Sequence, residues 1–114
     1  MKQINIFFDF DENKDEWIAF AEKFEKLLDE KEFKNNSLES LIKKFGSLKN
    51  VIEFSSSTDS LWLYLNAIFI STRSRKTLCK LNEWIKENHY ESNYCLRDNW
   101  GNRMHMDLDE LLKD

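Results

Sequence analysis

The feature that most constrains the fold is an apolar run at residues 61–70, LWLYLNAIFI, the longest in the 114-residue chain. Its aromatic and branched side chains and its polar Ser, Thr and Asp flanks indicate a β-strand. Successive strand side chains point to opposite faces, so Leu61, Leu63 and Leu65 share one apolar face. Trp62 and Tyr64 lie on the other. We therefore expect residues 61–72 to form a central strand with a core face and an amphipathic second face.

Periodic patterns predict the remaining elements. Apolar residues alternate from Ile4 to Phe10, which predicts a first strand, and a helical stripe from Trp17 to Leu28 predicts the helix that follows. Ser37 is expected to cap a second helix that ends before Gly46. Residues 51–55 are expected to form a strand that pairs with residues 61–72 in an antiparallel hairpin.

The C-terminal third is expected to contain a helix, a hairpin and a closing helical turn. Ser74 is the predicted cap of the helix, and the hairpin joins residues 94–98 to residues 103–107 through a turn that contains Gly101. Asp107 begins a capping box for the last helix. The order βααββαββα predicts a single α+β domain over residues 1–114, with a ferredoxin-like (split βαβ) antiparallel sheet, an inserted helix and a C-terminal hairpin plus short helix.

Composition excludes several classes of protein. The chain has no proline and only two glycines, so it has no Gly-rich phosphate loop of the Walker or dinucleotide-binding kind. Two cysteines without metal-ligand spacing are typical of reduced thiols, and no segment has the form of a signal peptide or a membrane span. We expect a cytoplasmic protein without a cofactor, a metal site or a membrane partner.

The net charge of −4 and the aromatic residues outside the predicted core favour a protein-binding surface. Small acidic bacterial immunity proteins and antitoxins have this general character. An acidic surface accelerates association with a basic nuclease-type toxin, so the sequence favours a non-enzymatic inhibitor of such a partner. The predicted partner-binding residues are Asp9, Asp11, Glu12, Asp15, Glu16, Trp62, Tyr64 and Trp100.

A basic segment supports an alternative function. Cations and hydroxyls at the start of the third helix would bind an anion together with backbone N–H groups. With bases stacked on Trp62 and Tyr64, the chain would then be a nucleotide- or RNA-binding domain, although its acidic pI makes nucleic acid the less favoured partner. The predicted anion-binding residues are Arg73, Ser74, Arg75, Lys76 and Lys80.

A second alternative is a metal-dependent hydrolase that uses Asp9 and Asp11. Residues 6–11, IFFDFD, resemble the hydrophobic strand and DxD motif that begin haloacid-dehalogenase-type phosphatases, and this resemblance implies a metal-assisted phosphoryl reaction. Asn13 stands where that family usually has Thr. The same segment resembles an EF-hand loop, but Lys14 replaces its glycine and Phe20 replaces its final Glu.

Overall fold

The computed structural model describes residues 2–11, 13–33, 36–53 and 69–113. These residues form a mixed α+β structure with one four-stranded antiparallel sheet and five α-helices, which confirms the predicted class. A 3-10 turn at Lys31–Phe33 follows the first helix. The strands are β1 (Ile4–Phe8), β2 (Phe69–Thr72), β3 (Tyr94–Arg97) and β4 (Arg103–Met104), and the helices are α1 (Lys14–Leu28), α2 (Asn36–Phe45), α3 (Leu48–Glu53), α4 (Arg75–Glu87) and α5 (Leu108–Leu112).

Contacts divide the chain into two compact units, which we call the sheet unit and the helical unit. The sheet unit is Met1–Asp9 with Phe69–Asp114, and it contains the sheet, α4 and α5. The helical unit is Phe10–Ile68, and its described elements are α1, α2 and α3. Within the described ranges, no helix has the length and apolar content that crossing a bilayer requires. The single domain stays a prediction.

The core of the helical unit is built on the aromatic stripe of α1. Asn13 caps this helix, and its side-chain oxygen accepts a hydrogen bond from the Glu16 N–H at 3.1 Å. Trp17 is fully buried, and its ring packs edge-on against Phe10 with 5.0 Å between centroids. Large aromatic rings supply much of the apolar area that a small domain can bury. The predicted first helix is therefore confirmed.

The second helix ends at Gly46, as its sequence predicts. Gly46 has a φ of +93°, and its N–H donates to the Ile42 carbonyl at 2.7 Å. This is the αL termination that glycine adopts without steric cost. Ser37, the predicted cap, lies inside the helix, which begins at Asn36.

The strand predicted at residues 51–55 is wrong over its described part, because Leu48–Glu53 is helix α3. The Ser47 hydroxyl accepts from the Asn50 N–H at 3.0 Å and starts this helix. Leu48, Val51 and Ile52 are buried at helical spacing, and α3 packs against α1 and α2. The β-branched pair favoured a strand, but tertiary burial of that stripe determines the outcome. Residues 54–68, which include most of the predicted hairpin, lie outside the described residues.

The sheet has the order β2-β1-β3-β4, and every described pair of strands is antiparallel. Strand β1 lies in the middle, since Ile6 pairs with Ile70 on one side and Leu96 on the other. Residues 69–72 were expected in a central strand, but β2 is at the edge of the four described strands. The predicted C-terminal hairpin is confirmed as β3 and β4.

The sheet unit contains one split βαβ arrangement. Strands β2 and β3 run parallel to each other on either side of β1 and are joined through α4. Strand β1 buries Ile4, Ile6 and Phe8, and Phe8 meets Trp84 of α4 edge-on at 6.1 Å. A complete ferredoxin-like sheet interleaves two such arrangements, and the described strands contain one.

Both predicted caps in the sheet unit are present. The Ser74 hydroxyl accepts from the Thr77 N–H at 3.2 Å at the start of α4, and Asp107 accepts from the Glu110 N–H at 2.8 Å at the start of α5. The two helices are connected by Asp109, which accepts from Lys86 at 2.7 Å. These short helices are thus fixed by local side-chain chemistry.

Candidate functional site

A cleft opens at the end of the sheet where β1 begins and where β2 and β3 end. Its volume is about 620 Å³, within the range of roughly 300–1,000 Å³ that small-molecule sites occupy. The antiparallel register explains the meeting of these segments, since the first residue of β1 pairs with the last residue of β2. The cleft is lined by Lys2, Gln3, Ile4, Arg73, Asp98, Asn99, Trp100 and Met104.

One wall of the cleft is the turn that joins β3 to β4. The Asp98 carboxylate oxygen Oδ1 accepts from the N–H groups of Trp100 and Asn102, each at 2.9 Å. The Gly101 N–H donates to the Asp98 carbonyl at 3.0 Å, and Gly101 has a φ of +84°. A type I turn followed by a left-handed glycine is a common three-residue hairpin loop. The hydrogen bonds therefore fix the backbone of the turn that carries Trp100.

Trp100 is the most conspicuous side chain of this turn, because 85% of its surface is exposed. Indole rings in folded proteins are mostly buried, and their exposure on a fixed backbone is typical of recognition sites. Residues 94–107 were predicted as a hairpin with Trp100 in its turn, and the structure has this arrangement.

Positive charge comes from the segments of the cleft that precede β1 and follow β2. Lys2 precedes β1, Arg73 follows β2, and both residues are exposed. Neither cation has an ion-pair partner among the residues that the structure describes. Asp98 also lines the cleft, and its carboxylate accepts the N–H groups of its own turn. The cleft therefore combines an aromatic wall with a cationic wall.

The predicted acidic surface is elsewhere in the chain. Asp11, Asp15 and Glu16 are exposed in the helical unit, whereas Trp100 belongs to the sheet unit. Asp9 follows β1 at the end of the sheet opposite the cleft. The other three predicted partner-binding residues lie outside the described residues: Glu12, Trp62 and Tyr64.

The predicted anion-binding residues are divided among different contacts. Arg73 lines the cleft, while the Ser74 hydroxyl caps α4 and the Arg75 guanidinium donates to the Leu112 carbonyl. Lys76 and Lys80 are exposed along α4. The structure therefore brings Arg73 together with Trp100, two residues that the sequence had assigned to different functions.

The alternative metal site uses Asp9 and Asp11, which belong to the sheet unit and the helical unit, respectively. In the described part of the chain, no group of three or more His, Cys, Asp or Glu side chains is arranged to hold a metal ion. Asp11 has a φ of +52°, and its carbonyl accepts from the Trp17 indole at 3.0 Å. The Asp11 backbone thus helps to fix the buried Trp17 ring in the helical unit.

Sequence reasoning missed Lys2, Gln3, Asn99 and Met104 as members of one site. They come from segments about 100 residues apart, and only the pairing of β1 with β3 brings them together. Of this site, local sequence predicted only the turn that contains Gly101. Comparisons with protein-family models, with curated proteins and with solved structures found no match.

Proposed function

We propose that this protein is a non-enzymatic inhibitor that binds a basic protein partner, in the manner of immunity proteins and antitoxins that neutralise nuclease toxins. The observation that carries the proposal is the 85% exposed indole of Trp100 on a hydrogen-bonded turn. Tryptophan is enriched among residues that dominate binding energy. A turn that is already ordered loses little conformational entropy when a partner covers it.

The distribution of charge supports a basic partner. Residues 10–68 contain 12 acidic and 8 basic residues, whereas residues 1–9 and 69–114 together contain nine of each. The net charge of −4 therefore belongs to the helical unit, where Asp11, Asp15 and Glu16 are exposed. Long-range attraction to this unit would accelerate association with a cationic protein.

The proposal is tested by co-expression with the product of the neighbouring gene and by association kinetics on the purified pair. Reversing Asp11, Asp15 and Glu16 to Lys should slow association and flatten its salt dependence. A matched control reverses three exposed acids of the sheet unit, Glu83, Glu87 and Glu91. Equal effects of the two triple variants on the association rate would contradict the assignment of the acidic surface.

Trp100→Ala tests the anchor separately. Loss of an anchoring tryptophan typically costs at least about 2 kcal/mol, which is roughly a 30-fold loss of affinity, and the loss should be in the dissociation rate. Met106→Ala, a substitution at the other exposed large apolar residue of the described chain, is the control. An unchanged dissociation rate for Trp100→Ala would remove Trp100 from the interface.

The ferredoxin-like (split βαβ) topology belongs to the same set of proposals. Its support is the β2-α4-β3 arrangement around β1. An experimental structure of residues 54–68 would test it, since a second split arrangement needs a strand in this segment. A helix throughout the segment would contradict it.

A further inference from the structure

We propose that the cleft beside Trp100 binds a nucleotide, either as a free mononucleotide or as one nucleotide of an RNA strand. This inference goes beyond the proposed inhibitor function and does not rest on it, although both use Trp100. It also differs from a site at the start of α4, because Arg73 is the one α4-flanking cation that lines the cleft in the described structure. The inference is based on the aromatic and the cationic side chains that line the cleft.

The aromatic wall fits the flat face of a base. The Trp100 indole is 85% exposed, so a ligand can cover it without displacing any protein group. Stacking of a base on an aromatic side chain is effective for every base, because each has a π-face. The hydrogen-bonded turn limits where the Trp100 ring can move, and the ring remains accessible to a ligand.

The cationic wall fits a phosphate. Lys2 and Arg73 have no ion-pair partner among the described residues. Guanidinium and ammonium groups are the usual protein ligands of phosphate. The residues that line the cleft include these two cations and one acid, Asp98, whereas the chain as a whole has a net charge of −4.

The order of the strands separates the two walls. Arg73 follows β2 and the turn follows β3, and β1 lies between these strands. Neighbouring strands are about 4.8 Å apart, so Arg73 and the turn are separated by roughly 10 Å, and Lys2 belongs to the β1 segment between them. A ligand with an aromatic group at one end and an anion at the other fits this separation, whereas a bare inorganic anion would engage one wall.

The remaining lining residues favour a base over a plain aromatic ring. Asn99 contributes a side-chain amide, which carries both donors and an acceptor for the edge of a base, whereas the Gln3 amide nitrogen donates to the Ser71 hydroxyl and leaves its carbonyl oxygen as an acceptor. The Asp98 carboxylate repels phosphate from the turn side. The base is therefore expected beside Trp100 and Asn99, with its phosphate towards Lys2 and Arg73.

The test titrates the purified full chain with AMP, adenosine and inorganic phosphate, followed by calorimetry and by the NMR signals of Trp100 and Asn99. AMP should bind more tightly than adenosine or phosphate. Trp100→Ala should weaken AMP binding at least fivefold, and Arg73→Gln should weaken AMP but leave adenosine unchanged. Lys76→Gln, an exposed cation of α4 outside the cleft, is the matched control and should have no effect.

The same variants distinguish the source of the nucleotide. An adenosine octanucleotide RNA that binds much more tightly than AMP, with the same loss on Trp100→Ala, identifies a strand as the ligand, and equal affinities identify a free nucleotide. Absence of binding by both AMP and the octanucleotide overturns the proposal, as does binding that Lys76→Gln weakens as much as Arg73→Gln. Because no partner protein is present, the outcome is independent of the inhibitor proposal.

Discussion

Asp98 is the residue on which the geometry of the cleft most depends. Its Oδ1 accepts two backbone N–H groups of the turn, and a hydrogen bond to a charged acceptor contributes about 1.5–3 kcal/mol before solvent screening. The same atom therefore stabilises the turn and determines the position of Trp100.

We expect Asp98→Ala to lower the free energy of unfolding by about 1–2 kcal/mol, because both acceptor contacts are lost on a partly exposed turn. Asp98→Asn keeps an acceptor oxygen at the same place and should lose about half as much. Urea denaturation of the two variants measures the difference. Equal losses would mean that the negative charge, rather than the hydrogen bonds, matters.

His89 is the residue with the clearest conformational strain. It has a φ of +61° just after α4, and the Tyr90 N–H donates to the Ile85 carbonyl at 2.9 Å. With the His89 N–H bonded to the Lys86 carbonyl, this is a Schellman termination in which a histidine occupies the place usually taken by glycine. The Tyr90 and Trp84 rings, 5.6 Å apart, supply the apolar contact of the motif.

His89→Gly should be more stable than His89→Ala by about 1 kcal/mol, since both remove the imidazole but only glycine avoids the Cβ clash at positive φ. Thermal unfolding of the two variants gives the comparison. Identical melting temperatures would show that the left-handed backbone costs nothing at this position.

At the scale of the elements, α4 and α5 are connected through one carboxylate. Asp109 accepts hydrogen bonds from Lys86 at 2.7 Å and from Asn82 at 2.9 Å. The Lys86 hydrogen bond, followed by that of Asn82, lowers the pKa of Asp109 from its ordinary value of 3.8. The same contact raises the pKa of Lys86.

The contribution of Asp109 to the stability of the folded state is therefore expected to depend on pH. A folded-state pKa below the unfolded value means that the contribution is complete above about pH 4 and disappears as the pH falls through the lowered pKa. Asp109→Asn should melt below the wild type at neutral pH and converge with it in acid. Glu110→Gln, in the same helix, is the control, and a temperature difference that persists unchanged in acid would contradict this mechanism.

The elements show what sequence can and cannot predict. Helix α1, the caps Ser74 and Asp107 and the turn at Gly101 were predicted, because their signals are local. Helix α3 was missed, because valine and isoleucine are frequent in strands. Its helical stripe consists of only three apolar residues, Leu48, Val51 and Ile52, which is too short to reveal a helical period. The cleft was not predicted, because it depends on the pairing of segments that are distant in sequence.

At the scale of the whole molecule, the chain passes twice between its two compact units. It leaves the sheet unit after Asp9 and returns at Phe69. If the helical unit alone unfolded, the sheet would have to close a loop of roughly 60 residues, an entropic cost of about 3–4 kcal/mol. This cost couples the two units.

We therefore expect one cooperative unfolding transition, in agreement with the predicted single domain. Variants that keep only Trp17 or only Trp84 report on the helical unit and the sheet unit, respectively. Their fluorescence transitions in urea should have the same midpoint after correction for the stability of each variant. Two separate midpoints, with far-UV circular dichroism following each in turn, would show independent domains.

The central position of β1 also affects how the protein is made. Ile6 pairs with Leu96, which is synthesised 90 residues later. Because the ribosome adds about 5–20 residues per second, β3 becomes available to β1 roughly 5–20 s after β1 is made. During that interval a strand with four apolar side chains, Ile4, Ile6, Phe7 and Phe8, has an unpaired edge that can associate with another chain. The nascent protein is thus expected to need a chaperone more than its small size suggests.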